Sequence, residues 1–192
     1  EQASQQALKY NLEVIPALEL SASVESTEVH VLGYYIDRHH DGLATYLQKL
    51  KQARVDRACA IIENLNASGH AIEFEHVLQR AGNSVIARPH IAEAMVDCGI
   101  VDNYIDAFNY WIADGKPACV EKDNASAKAV IELIHQIGGV AVLAHPGAHF
   151  PPQMLQALIA DGLDGIEVVH PRHNLATQNT FMKFAQDRQL AM

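Results

Sequence analysis

Residues Gly138 to Phe150 read GGVAVLAHPGAHF. Val140 to Ala144 are apolar and small enough for a fully buried strand, and unbroken apolar runs of this kind mark strands covered on both faces. No polar transition follows. His145 comes at once, and Pro146 and Gly147 break the chain behind it. The turn leaves the ring at the loop side of a strand end, and neutral imidazole is a common ligand for transition metals. The bland reading is a strand-end histidine satisfied by a backbone carbonyl.

Around this strand the pattern alternates. Ser126–Gln136 reads as a helix, Gly139–Ala144 as the buried strand and Pro152–Asp161 as a helix. Gly165–Val169 follows as a strand and Ala176–Gln189 as a helix leading to a last strand at RQLAM. Strands separated by helices of this length predict right-handed βαβ units in a parallel sheet or barrel. Toward the other end, LEVIPALEL (Leu12–Leu20) and VHVLGYYID (Val29–Asp37) read as strands, the first bent at Pro16 and the second broken at Gly33. From Asp41 to Ser68, Leu43, Leu47, Leu50, Val55, Ala58, Ile61, Ile62 and Leu65 recur at helical spacing, with Gly69 placed as a C-terminal cap. Shorter helices are predicted at Glu73–Arg80, Pro89–Cys98 and Asn103–Asp114. The layout is an α/β domain over residues 1–40 and 121–192, interrupted by a helical insertion over 41–120.

In parallel α/β architectures the functional groups gather at the carboxyl ends of strands. LEVIPALEL delivers Glu19 there, GGVAVLA delivers His145, and GIEVV delivers His170 in the loop HPRHN, with Arg172 and His173 behind it. His30 lies near the start of its strand. Glu19 alone reads as a solvated charge and His30 alone as a structural histidine. Together with His145 they make a carboxylate and two imidazoles, a standard set for Zn, Mn or Fe, and such a set with open positions can activate water for hydrolysis.

In the helical block, SVIARPHIAEAM sets Arg88 and His90 around Pro89, which suits a first helical turn. A helix start flanked by Arg and His suits a phosphate, with Lys116 of DGKPACV as a further point charge. The alternative places Arg88 on a solvated face and Lys116 in a polar turn. The HPRHN loop is metal-facing, phosphate-facing or exposed, and spacing does not decide among these. His39, His40, His70, His76, His135 and His149 read as structural or surface residues, and the stripe Lys49, Lys51, Arg54, Arg57 as a solvated helix face.

The 192 residues are 49% hydrophobic and carry a formal charge of −9. That balance excludes a broad duplex-binding face but leaves room for a local basic pocket. No apolar run approaches the roughly 20 residues that span a bilayer, and no signal-like segment appears. Cys59, Cys98 and Cys119 are odd in number and unpaired in pattern, which predicts a reducing, cytoplasmic setting.

In order, IPALEL, EVHVLGYYID, ARPHIAEAMVDCGI, GKPACV, GGVAVLAHPG and GIEVVHPRH resemble the PHP family of metal-dependent phosphoesterases, named for its polymerase and histidinol phosphatase members. The nearest branch acts as 3′,5′-nucleotide bisphosphate phosphatases or as 5′–3′ exoribonucleases trimming short RNA. The resemblance implies a distorted (β/α)7 barrel with a helical insertion, and two or three divalent metal ions (Mn, Zn or Fe) in the complete protein. It implies Glu19, His30 and His145 as metal ligands, with Glu19 and His145 catalytic. Arg88 and His90 would hold substrate phosphate, joined by Lys116, His170 and His173. The implied partner is a nucleotide or short oligonucleotide, with no duplex nucleic acid and no membrane. Histidinol phosphate or a DNA 3′ end are alternative substrates, and a non-catalytic scaffold is the alternative of another class. The family's DLHxHS, TDHD and SDxH motifs are absent. The expectation is therefore a segment of a longer protein, whose three remaining ligands hold metal weakly.

Overall fold

In the computed structural model of the chain, residues 2–25 and 27–192 are described. They form an α/β structure that divides into two compact units, one made of residues 1–44 and 124–192, the other of Thr45–Asp123.

The first unit is built on a four-stranded sheet of order β1-β2-β3-β4, with β1 Ala17–Val24, β2 Thr27–Tyr34, β3 Val140–Leu143 and β4 Gly165–Ile166. The sheet corrects the expectation of all-parallel strands. β1 pairs antiparallel with β2, and β2 antiparallel with β3; only β3 and β4 run parallel. The reason is the link from β1 to β2, which is too short for the crossover that parallel strands need. The first strand also lies later than Leu12–Leu20, because it begins only after Pro16, which has no N–H to give a ladder. Gly33 does not break β2. A Cβ there would come within 3.1 Å of Ile134, so the glycine lets the buried face of helix α6 (Ala127–Gln136) settle on the sheet. Ile131 and Ile134 of α6 are fully buried, as are Val31 and Ala141 of the sheet. Helix α6 opens on Ser126, whose hydroxyl accepts the Ala129 N–H.

The remaining elements of this unit are α1 Gln2–Lys9, α7 Pro152–Ala160 and α8 Leu175–Arg188. Helix α1 is unannounced by any apolar periodicity. The last strand foreseen at RQLAM reduces to a single parallel bridge between Ala191 and Gly165.

The second unit is helical. It contains most of α2 (Asp41–Ala67), then α3 Phe74–Ala81, α4 Arg88–Asp97, α5 Tyr104–Ala107 and a π-helical turn at Phe108–Ile112. Gly69 takes φ +88 just past α2, the left-handed conformation that ends helices. The second half of α2 supplies Ile61 and Leu65 to a core completed by Ile91, Met95 and Ile112, all 1% exposed or less. Burial of each such side chain is worth about 1.5–3 kcal/mol. No helix among the described residues is long and apolar enough to cross a membrane.

Candidate metal centre

The antiparallel hairpin places the first two ligand candidates. Along β1, Leu20 and Ala22 are buried, so Glu19 and Ser21 project from the opposite face. Ser21 pairs with His30 across the ladder. His30 is therefore the diagonal neighbour of Glu19 on that face. Glu19 is the third residue of its strand rather than the last, so register, not a strand end, presents it. His145 arrives from β3, where Ala144 N–H donates to the His30 carbonyl at 2.9 Å. At His145 the chain turns, with φ +30.

The three side chains converge. His30 Nδ1 lies 3.0 Å from Glu19 Oε1 and 3.1 Å from His145 Nε2, and His145 Nε2 lies 3.3 Å from Glu19 Oε1. These atoms form a nearly equilateral triangle. Ligand bonds of about 2.0–2.2 Å separate neighbouring donor atoms on one metal by about 3.0–3.4 Å. The residues therefore fit a divalent ion, and among the described residues they are the one His/Cys/Asp/Glu group with metal-binding geometry. The side chains are 48%, 34% and 26% exposed for Glu19, His30 and His145, so the face stays reachable from solvent. An open cleft of about 570 Å³ lies against it, lined by Glu28, His30, His145, Pro146, His149 and Phe150 among others.

Two carboxylates that sequence reading does not single out hold the ligands in place. His30 Nε2 lies 3.2 Å from Glu28 Oε1, and Asn124 Nδ2 donates to Glu28 Oε2 at 2.9 Å. A tautomer of His30 that gives its Nε2–H to Glu28 leaves the Nδ1 lone pair for the centre, the arrangement that orients and strengthens metal-bound imidazoles. On the other side, Glu167, next after β4, accepts the His145 backbone N–H at 2.7 Å. The signal for both was faint: an acid two residues before a ligand on one face of a strand, and an acid at the end of the neighbouring strand.

The HPRHN loop separates into two roles. The His170 ring centroid stands 5.4 Å from that of His145, so His170 borders the centre. His173 is 4% exposed. Its Nδ1 donates to the Val168 carbonyl at 2.9 Å, and its Nε2 accepts the Gly147 N–H at 3.1 Å. Both nitrogens are thus spent on backbone, and the ring shapes the His145–Gly147 turn rather than reaching outward.

In the helical unit Arg88 and His90 open α4. The His90 Nδ1 accepts the Ala87 N–H at 3.2 Å and so caps the helix. Arg88 Nη1 donates to Asp114 at 2.6 Å and to the Ile112 carbonyl at 3.3 Å, and the first of these bonds holds the Asp114 carboxyl below its ordinary range. Arg88 lines a cavity together with Arg54, Arg57 and Lys122, whereas the exposed Lys116 is absent from its lining. Arg54 and Arg57 both line this cavity, Arg54 exposed and Arg57 half-buried, so of the stripe Lys49, Lys51, Arg54, Arg57 the last alone departs from the solvated-face reading. The i, i+3 spacing of Arg54 and Arg57 puts them on one side of α2, and that side faces the start of α4.

A partly open triangle of one carboxylate and two imidazoles on an α/β frame is a donor set for a divalent transition-metal ion with open positions, and activation of water for hydrolysis is one chemistry such a site supports. No family model matches the sequence. The 5′-3′ exoribonuclease Rnm of Salmonella typhimurium is 32% identical over 165 residues, covering 85% of this chain and 56% of that relative. The 3′,5′-nucleoside bisphosphate phosphatase of Chromobacterium violaceum is 31% identical over 186 residues, 94% of this chain and 65% of the relative. Among solved structures, one described as a metal-dependent phosphoesterase from Bifidobacterium adolescentis aligns with a TM-score of 0.76 at 27% identity, covering 98% of this chain and 69% of that one. An amidohydrolase from Chromobacterium violaceum with bound sulfate and no metal aligns with a TM-score of 0.75 at 29% identity, covering the same shares. These likenesses agree with the PHP-family resemblance carried by the sequence motifs. It spans less than two thirds of the length of the two curated relatives.

Proposed function

We propose that this chain contributes the Glu19–His30–His145 face of a catalytic centre that hydrolyses phosphate esters of nucleotides. The substrates on this reading are the 3′-phosphate of 3′,5′-bisphosphonucleotides, the 5′ ends of short RNA, or both. The observation that carries it is the donor triangle with edges of 3.0, 3.1 and 3.3 Å, in a chain similar to enzymes named for these two activities. The sheet is read as part of a distorted (β/α)7 barrel, with Thr45–Asp123 as its helical insertion and the cytoplasm as its location.

Glu19, His30 and His145 would hold a divalent ion, Mn, Zn or Fe, with two or three ions in the complete site. Such an ion supplies Lewis acidity toward phosphoryl oxygen and makes bound water nucleophilic near neutral pH. The chain's own residues do the placing. Glu28 stands as the acceptor for an Nε2–H of His30, Glu167 fixes the backbone of His145, and His173 sets the turn behind it. His170 borders the centre and is positioned to meet a phosphate oxygen. Arg88 and His90, with Lys116, are assigned to phosphate recognition, where fixed cations offset charge that develops in phosphoryl transfer.

The test is release of phosphate from a 3′,5′-bisphosphonucleotide with Mn²⁺ and with a chelator. Metal-dependent turnover is expected, falling by about a hundredfold or more in His145→Ala. Turnover that is unchanged by chelation, or by His145→Ala, overturns the proposal.

A further inference from the structure

The open cleft of about 570 Å³ beside the donor triangle shares His30 and His145 with it. An ester whose phosphate meets the triangle therefore presents its neighbouring groups to this cleft, and the walls select which of them settles there. No Lys or Arg lines the cleft. Glu28, its one carboxylate, is turned to His30 and Asn124. Val29, Leu143, Pro146, Phe150 and Pro151 make much of the surface apolar. A second phosphate finds no cation in such a hollow, and sugar hydroxyls would face apolar walls unpaired. A flat, neutral ring with a polar edge suits it.

Phe150 is the only Phe, Tyr or Trp in the lining. It is half-buried, outside the core, and in no ring–ring contact among the described residues. A ring kept for packing alone is covered by neighbours, whereas this one stays part-open at the rim of a cleft. The chain holds it stiffly. Its N–H reaches back to the Gly147 carbonyl at 3.4 Å, and Pro151 behind it confines its backbone to the extended region. Pro151 and Pro152 then lead into α7, which is anchored by buried Met154, Leu155 and Leu158. A ring placed in advance loses little freedom when a second ring stacks on it. Exposed His149 adds a polar group at the same rim for the edge of that ring.

We propose that this cleft seats the nucleobase of the nucleotide whose phosphate meets the triangle, with the base stacked on Phe150. The inference rests on the phosphoesterase reading for its phosphate, and it adds the group by which the site chooses nucleotides over other phosphate esters. Stacking accepts every base, since each has a π-face. The cleft therefore favours a base over none and chooses little among bases.

The experiment is ligand-observed NMR on the metal-free chain, in chelator, with 2′-deoxyadenosine 3′,5′-bisphosphate and its base-free tetrahydrofuran analogue. Saturation is expected to pass from the protein to H2 and H8 of the adenine, and the base should tighten binding about tenfold. Phe150→Ala should erase that advantage and leave the base-free analogue unchanged, while Phe150→Trp should keep it. Should Phe150→Ala unfold the chain, Phe150→Leu, which keeps apolar bulk but offers no ring, decides. Equal affinity for the two compounds in the wild type, binding of neither, an equal loss for both in the variant, or no saturation at the base protons overturns the role of the cleft. Phosphate release with Mn²⁺ separates this from the phosphoesterase reading. A chain that prefers the base yet releases no phosphate keeps the cleft and loses that reading. One that releases phosphate with the same KM for both compounds keeps the reading and loses the cleft.

Discussion

Glu167 accepts the backbone N–H of His145 at 2.7 Å, so a carboxylate from the end of β4 fixes a ligand delivered by β3. The bond matters because His145 sits at φ +30, a conformation costing a non-glycine residue about 1–2 kcal/mol. Pro146 has no N–H, and the Gly147 N–H is taken by His173. Every backbone donor of the His-Pro-Gly turn is thus accounted for, and the direction of the imidazole follows from the turn.

Removing that acceptor should loosen the ligand and leave the sheet intact. Glu167→Ala is expected to lower Mn²⁺ affinity about tenfold to a hundredfold, while Glu167→Gln, which still offers an oxygen, should recover most of it. Equal Mn²⁺ affinity in wild type and Glu167→Ala would show that His145 needs no such brace.

Glu28 acts on the other imidazole. In Glu28→Ala, His30 Nε2 loses its carboxylate partner, and the share of the ring's Nε2–H tautomer should fall. Nitrogen-15 chemical shifts of His30 read this directly, and Mn²⁺ affinity should fall by about tenfold or more. A single unshifted Nε2–H tautomer in the variant would remove Glu28 from the site.

His173 is a structural anchor on this account. His173→Phe keeps a ring in the buried space but leaves the Gly147 N–H and the Val168 carbonyl unpaired, at about 1–3 kcal/mol each. Denaturant unfolding should show a loss of about 2–6 kcal/mol. A loss under about 0.5 kcal/mol, the scale of an ordinary surface change, would contradict the assignment.

Acid stability of the helical unit should reflect two carboxylates. Hydrogen bonds from Arg80 and from Arg88 hold Asp97 and Asp114, respectively, below their ordinary range. A folded value below the unfolded one, near 3.9, means the contribution is full above about pH 4 and fades as pH falls through the folded value. Both pairs are solvent-exposed, so the effect is small and screened by salt. Asp97→Asn combined with Asp114→Asn should therefore flatten the fall in Tm below pH 4 and change little between pH 5 and 7. An unchanged acid slope would refute it.

Much of this was legible in the residues, and the misses have physical causes. The apolar run Val140–Ala144 stopped by His145-Pro146-Gly147 announces both β3 and a fixed imidazole. The spacing from Ala58 to Leu65 announces the buried side of α2, because burial there follows the helical period. The hairpin was not legible. Leu12–Ile15 carries the stronger strand composition, yet the ladder begins after Pro16 and runs through small polar residues, Ser21 and Ser23, whose pairing is decided by tertiary context. Glu28 and Glu167 were invisible for a related reason: a carboxylate that braces a ligand is defined by what faces it across the sheet. Arg57 shows the same limit, since a helical arginine reads the same in sequence whether it faces water or is half-buried with its Nε–H on a carbonyl.

The central claim is that Glu19, His30 and His145 form one face of a metal-binding centre. Titration of the chain with Mn²⁺, followed by the electron paramagnetic resonance signal of the free ion, tests it most directly. The account predicts saturable binding by the wild type, loss of at least about tenfold in affinity in Glu19→Gln, and near abolition in both His30→Ala and His145→Ala. Binding of equal strength in all four proteins, or none in the wild type, would contradict it.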